Sequence, residues 1–303
     1  VALADSELRA RTHDFHSSAI RASQLGPRIN DEESVMKKIA TTLFALALLT
    51  LASSAFALPI YIEDFSYAAA SQLNTQGGWT AHSAAGTNAV TISAGSLTYT
   101  GYPSSGVGNK AGTTATSGED DSHTFTGQAS GTVYAAFLVN VVSSQTTGDY
   151  FFHLFDGAVG GGVFRGRVFV KKDAASTNYA FGLQFGSAAT NLVYTPFSYT
   201  PGSTHLVVLQ YDFNAAATDD QVRLYIDPVV DCVEPNATLT TSDATQSDAT
   251  NLDGVAIRQG SATAAPTVQV DGIRIGLTWA DATCDQATPA RKSSWGQIKT
   301  TYR

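Results

Sequence analysis

Methionine and cysteine are almost absent from this chain, charge is thin, and no apolar run is long enough to span a bilayer. Each shortage closes a door. The two cysteines, Cys232 and Cys284, exclude a cysteine-rich scaffold, and with no second cysteine or histidine beside either they do not read as a zinc knuckle. Basic residues are outnumbered 18 to 26, for a net charge of −8, and no basic run could track a phosphate backbone. Nucleic acid and anionic lipid are therefore poor partners. There is no H-E-x-x-H for a catalytic zinc and no G-x-S-x-G nucleophile elbow. GVGNKAG at 106–112 spaces its glycines but follows a turn, so it reads as a loop and not a nucleotide cradle.

The single methionine, Met36, stands in front of a recognisable address. Lys37 and Lys38 form a positive start, Ile39 to Leu51 a short apolar segment, and Ser54-Ala55-Phe56-Ala57 the small-x-small pattern cut by signal peptidase. The apolar segment falls well below the roughly 20 residues that cross a bilayer. The reading is a removed signal peptide over 36–57 and no transmembrane anchor afterwards. Residues 1–35 mix both charges without an apolar period, which fits an upstream stretch outside the natural coding frame or a disordered leader. Export to an oxidising compartment also predicts that Cys232 and Cys284 form one disulfide.

From Leu58 onward one theme repeats: alternating apolar and polar residues, then a cluster of Gly, Asn, Asp or Ser. Strands are predicted near 60–67, 89–100, 131–143, 149–156, 163–171, 179–186, 204–213, 221–227, 253–259 and 267–277, with no convincing 3.6-residue period between Leu58 and Cys284. Many strands with short turn-rich gaps predict an all-β fold, a two-sheet antiparallel β-sandwich over 58–285. The tail at 286–303 changes character: a linker, then SSWGQIKTTYR, which puts Trp295, Ile298 and Tyr302 on one face of a short helix. It reads as a sorting tag or a helix docked on the sandwich. TSDATQSDATNLD at 241–253 lacks EF-hand spacing and reads as a solvated loop with Asx turns.

Strict alternation assigns faces. In QVRLYID, Val222, Leu224 and Ile226 point inward. In FFHLF, Phe152 and Leu154 take one side, and Phe151, His153 and Phe155 the other. In VFRGRVFVK, Arg165, Arg167, Phe169 and Lys171 share a face. Pairing of these neighbours would gather His153, Arg165, Arg167, Phe169 and Gln184 into one outward polar and aromatic patch, the candidate binding surface. Trp79, after Gly77-Gly78, is a candidate for stacking on a sugar ring, while Trp279 continues an apolar strand and reads as core or edge packing.

The order HLVVLQYDF, a polar turn with Asp219 and Asp220, VRLYIDP and VDGIRIG resembles the closing hairpins of laminin G-like, concanavalin A-like sandwiches. EDFSY, FRGRVFVKKD, GVAIRQG and VDGIRIGLTWAD resemble secreted bacterial modules of that class over most of 58–284. The resemblance implies a jelly roll with a glycan site on one face and a structural Ca²⁺ near the first and last strands. Glu63, Asp64 and Asp271 stand where such a site would lie, unless the aspartates only cap strand ends. Glycosidases of this class carry E-x-D-x-x-E, whereas the chain after residue 57 has only Glu63, Glu119 and Glu234, far apart. Jelly-roll polysaccharide lyases use His, Tyr and Arg, which His153, Arg165 and Arg167 could supply. The resulting expectation is a secreted, non-catalytic module that binds a glycan or extracellular polysaccharide at the cell surface or in the matrix. The alternatives are a self-associating structural protein and a lyase or hydrolase. Mass spectrometry of the exported protein is expected to place its first residue at Leu58, and a mass that includes residues before Met36 would contradict this reading.

Overall fold

The computed structural model describes residues 58–157 and 163–285, so the leader, the signal segment and the 286–303 tail lie outside the described residues. Alternation does build two antiparallel sheets. The first sheet runs, in spatial order, β10 (Val193–Tyr194), β9 (Tyr179–Gln184), β8 (Val163–Lys172), β7 (Asp149–Asp156), β14 (Leu252–Ile257), β5 (Asp120–Gln128) and β2 (Thr80–Ser83). The second runs β13 (Leu239–Ser242), β12 (Gln221–Ile226), β11 (Thr204–Asp212), β6 (Thr132–Ser143), β15 (Thr267–Gly276), β4 (Lys110–Gly112) and β3 (Thr91–Ser93), with β1 (Tyr61–Glu63) also paired to β15. All ten predicted strands have counterparts. β2, β4, β5, β10 and β13 were not predicted, and β4 takes the end of the segment read as a loop.

The apolar faces meet in one core. Val207, Leu209 and Tyr211 of β11, Val222 and Leu224 of β12 and Val133, Ala135 and Phe137 of β6 face Phe152 and Leu154 of β7 and Val168 and Val170 of β8. Phe137 stacks on Phe152 at 4.0 Å between ring centroids. The β12 faces follow the predicted alternation.

Trp279 does not extend β15. It opens a five-residue helix, α1 (Trp279–Thr283), because Thr278 accepts from the Asp281 amide while the Asp281 carboxylate accepts from the Thr278 amide. This reciprocal cap satisfies amides that a strand end would leave free. The helix covers the outer face of the second sheet, where Trp279 packs edge-on against Tyr134 and Tyr225 beside Leu97, Leu138 and Val208. Cys284 follows it and forms the expected disulfide with Cys232, at a Cα–Cα distance of 5.6 Å. No helix among the described residues is long and apolar enough to cross a membrane.

One feature of the core is costly. Asp121 of β5 is fully buried, neither of its carboxylate oxygens has a hydrogen-bonding partner, and burial followed by the nearby Glu119 pushes its pKa up to about 8. A carboxyl whose folded pKa lies above its ordinary 3.8 favours the fold fully below that value and loses the contribution as pH rises through about 8. Asp121→Asn is therefore expected to flatten the decline in stability between those limits. Urea unfolding across that range would check this, and an unchanged pH profile would contradict it.

Candidate functional site

The candidate site is the outer face of the first sheet, and two irregularities in the β7–β8 ladder create it. Tyr150 pairs with Phe169 and Phe152 with Val168, which leaves Phe151 as an extra residue on β7. Leu154 then pairs with Arg165, so His153 faces two residues, Gly166 and Arg167, on β8. Gly166 adopts φ +60°, and a Cβ there would come within 2.9 Å of the Leu209 side chain. A bulge of this kind resets alternation on the strand that contains it.

Three face assignments change in consequence. Phe151 turns into the core with Phe152 instead of joining His153. Arg165 lies opposite the core residue Leu154 and tucks its guanidinium 5.2 Å from the Phe185 ring, donating to the carbonyls of Phe164 and Ser247. It leaves the outward patch because the bulge at Gly166 rotates it to the inner side. Phe164 takes its place outside, 4.2 Å from the His153 ring.

The remaining expected residues do converge, joined by several that alternation concealed. The Arg167 guanidinium lies 4.7 Å from the Tyr150 ring and 5.4 Å from the Phe164 ring. Arg258, just after β14, covers Tyr150 at 4.0 Å and pairs with Asp149 at 2.9 Å. Phe169 lies 5.4 Å from Tyr150 and 6.4 Å from Tyr194, which crosses Gly182 where a side chain would collide with it. Gln184 sits opposite Arg167 and donates to the Ala188 carbonyl at 2.7 Å. His82 of β2 reaches the same face, 6.4 Å from His153.

Electrostatics on this face are unusual. His153 is fully buried, and desolvation, helped by His82, Arg167 and Arg258, lowers its pKa to about 3. Its Nδ1 lies 3.0 Å from the Leu154 carbonyl, which can only accept, so the neutral ring carries its proton there. The lone pair on Nε2 then has no partner. His82 Nδ1 and Arg167 Nε also lack partners. Burial likewise lowers the His82 pKa and raises that of Tyr194 to about 12, keeping its hydroxyl a donor. Unpaired buried polar atoms cost about 1 to 3 kcal/mol each, and others occur elsewhere in the fold, at Asp121, Tyr179, His205, Arg274 and Trp279.

Trp79 is elsewhere. Left-handed Gly77 and Gly78 turn the chain back, and the indole enters the core at 2 % exposure, donating to Glu63 at 2.9 Å. No face is left for a sugar. The same contact removes Glu63 as a calcium ligand: its carboxylate also accepts from the Phe65 amide at 2.6 Å, the Tyr67 hydroxyl at 2.7 Å and the Tyr61 hydroxyl at 3.3 Å. Four donors occupy the roughly four lone-pair positions a carboxylate offers. Asp271 is not beside it. Glu63 pairs with the core residue Ile273, whereas a register shift after Asp271 sends that side chain to the other face, where Ser96 and the Leu97 and Gly272 amides hold it. Burial lifts the Asp271 pKa to about 7. Asp64 keeps one unpartnered oxygen. The three carboxylates do not form one coordination shell.

A different acidic group does assemble. Carboxylate oxygens of Asp219, Asp220 and Asp248 lie within 4.8 Å of one another. Asp248 accepts from the Asp219 and Asp220 amides, and Asp220 from the Tyr211 hydroxyl and the Asn214 amide, so these acids tie the turn after β11 to the 241–253 loop. Asp243 forms the expected Asx turn with the Thr245 amide.

No protein-family model and no curated protein sequence matches the chain. Among solved structures it is similar to the calreticulin globular domain of T. cruzi, at 15% identity over 72% of this chain and 87% of that one, TM-score 0.44. It is also similar to an alginate lyase variant in complex with alginate trisaccharide, at 14% identity over 72% and 98%, TM-score 0.43. A third is domain 4 of an extracellular arabinanase from Geobacillus stearothermophilus in complex with arabinotriose, at 13% identity over 74% and 96%, TM-score 0.43.

Gly166→Ala is expected to destabilise the fold by about 1 to 3 kcal/mol, from left-handed strain and the clash with Leu209. Denaturant midpoints would measure it, and a midpoint unchanged from the parent protein would argue that the bulge is not needed.

Proposed function

We propose that this chain is an exported module that binds a glycan on the outer face of its seven-stranded sheet and works at the cell surface or in the extracellular matrix. One observation carries the reading. Half-buried Arg167, with no ion pair or side-chain hydrogen bond among the described residues, and the half-buried rings of Tyr150, Phe164 and Tyr194 converge on a single face. Sugars present both kinds of surface that such a face answers, hydroxyls for the guanidinium and C–H patches for the rings. Tyr194 and Phe164 are the half-buried rings placed to meet those patches. The signal-like segment and the disulfide support an extracellular setting.

Binding without chemistry fits the carboxylates of this face. Asp149 is committed to Arg258, and Asp120 accepts from Ser83 and the Gln259 amide, so neither is free as a general acid or nucleophile. A second reading is eliminative cleavage of a polysaccharide with neutral His153 as base, whose unpaired Nε2 is buried and would have to be uncovered first. Incubation with a polysaccharide panel separates the two: release of unsaturated or reducing ends would replace the binding reading with the enzymatic one. On a glycan array the full chain is expected to give signals that Tyr194→Ala weakens about tenfold, the roughly 1.4 kcal/mol that one ring contact is worth. An array silent for the parent protein would remove the reading.

A further inference from the structure

Arg167 stands apart from the other described arginines. Arg223 pairs with Asp212, Arg258 with Asp149, Arg165 donates to two carbonyls, and Arg274 donates to the Cys284 carbonyl at 3.5 Å. Among the described residues Arg167 makes neither an ion pair nor a side-chain hydrogen bond; its guanidinium lies beside the Tyr150 and Phe164 rings. Its Nε is buried without a partner. The two terminal nitrogens have none either and remain as the donors that can fork onto a carboxylate.

We infer that the glycan bound on this face carries a carboxylate, as a uronic acid does, and that the Arg167 guanidinium receives it. The inference rests on the glycan reading above and names the chemical class of its ligand. Charge on β8 is consistent with it: Arg165, Arg167, Lys171 and Lys172 are its only ionisable residues, and all are basic. On the outer face Arg167 and Lys171 stand on this strand, and Asp149, the nearby acid, is already answered by Arg258. Burial, and then the positive Arg258 and Arg165, push the Arg167 pKa down, so an incoming anion would relieve a strain that a neutral sugar would leave in place. The overall charge of −8 gives acidic polysaccharides no general attraction to this protein, so preference for one has to arise at this site.

The test is calorimetric titration of the full chain with oligouronates and with the same oligosaccharides methyl-esterified at their carboxyls. The acids are expected to bind at least about tenfold more tightly, in line with the strength of charge-assisted over neutral hydrogen bonds. Arg167→Met should bring acid affinity down to the ester value while ester affinity changes less than about threefold, one charge-assisted contact being lost and the neutral ones kept. Arg167→Lys keeps the charge without the fork and should retain only part of the preference, which also serves if the Met variant does not fold. Equal binding of acid and ester, or equal weakening of both by Arg167→Met, would overturn the inference while leaving glycan binding intact. No binding of either form would overturn both.

Discussion

The outer face of the first sheet depends on the two places where β7 and β8 fall out of step. A perfectly alternating pair would bury Phe164 and send both Arg165 and Arg167 outward. The residue gained at Phe151 on β7 and the one gained at Gly166 on β8 leave His153 outside, turn Arg165 in, and set Phe164 and Arg167 on one side. Only then can a guanidinium lie against rings from both strands. Glycine is required because φ is positive and Leu209 fills the space a side chain would need. The irregularities serve both sides of the sheet, adding Phe151 to the core and setting the cluster outside.

Two charged groups show how differently the same fold can hold a charge without a counter-ion. Glu63 is closed: four donors meet its oxygens in the core, and nothing remains for a ligand or metal. Arg167 is open. Aromatic rings lie beside it, an attraction of about 0.5 to 2 kcal/mol depending on desolvation, which leaves its terminal donors unused. The first arrangement fixes a strand to a loop. The second leaves two donor nitrogens for the partner proposed above.

The sequence made the architecture readable where one face of a strand is wet. HLVVLQYDF and QVRLYID became β11 and β12 with the faces that alternation assigns. It concealed β5, whose DDSHTFTGQ begins with two acids, because alternation there places Asp121 and His123 where apolar residues are expected. It also misplaced Trp79, since the reversal at Gly77-Gly78 is written in backbone angles and the partner that accepts its N–H lies 16 residues upstream. At the site, His153, Arg167, Phe169 and Gln184 were legible by parity. Tyr150 and Phe164 were not, because a single inserted residue inverts parity beyond it, and the glycine inside FRGRVF was the available signal; Arg258 alternates regularly with Val255 and Ile257, but nothing in the sequence ties β14 to β7.

The two outer faces of the sandwich are built differently, and this is why the proposed ligand surface is placed on the first sheet. On the second sheet Trp279, Tyr134, Tyr225 and Leu97 form a small core of their own, and the Cys232–Cys284 bridge fixes the end of α1 to the segment after β12. That face is sealed with apolar contacts, with Glu234 held by the Tyr134 and Tyr225 hydroxyls. On the first sheet the cover is thinner: Phe164 and Tyr194 are half-buried over His153 and Phe169, and two cations, Arg167 and Arg258, lie beside the Tyr150 ring. A sheet face built for burial would place aliphatic residues where Arg167 and Arg258 stand, and a face built only for solubility would not set the Tyr150 and Phe164 rings against them. The combination is what the proposed glycan reading requires of a face that an amphipathic, hydrogen-bonding ligand would complete from outside.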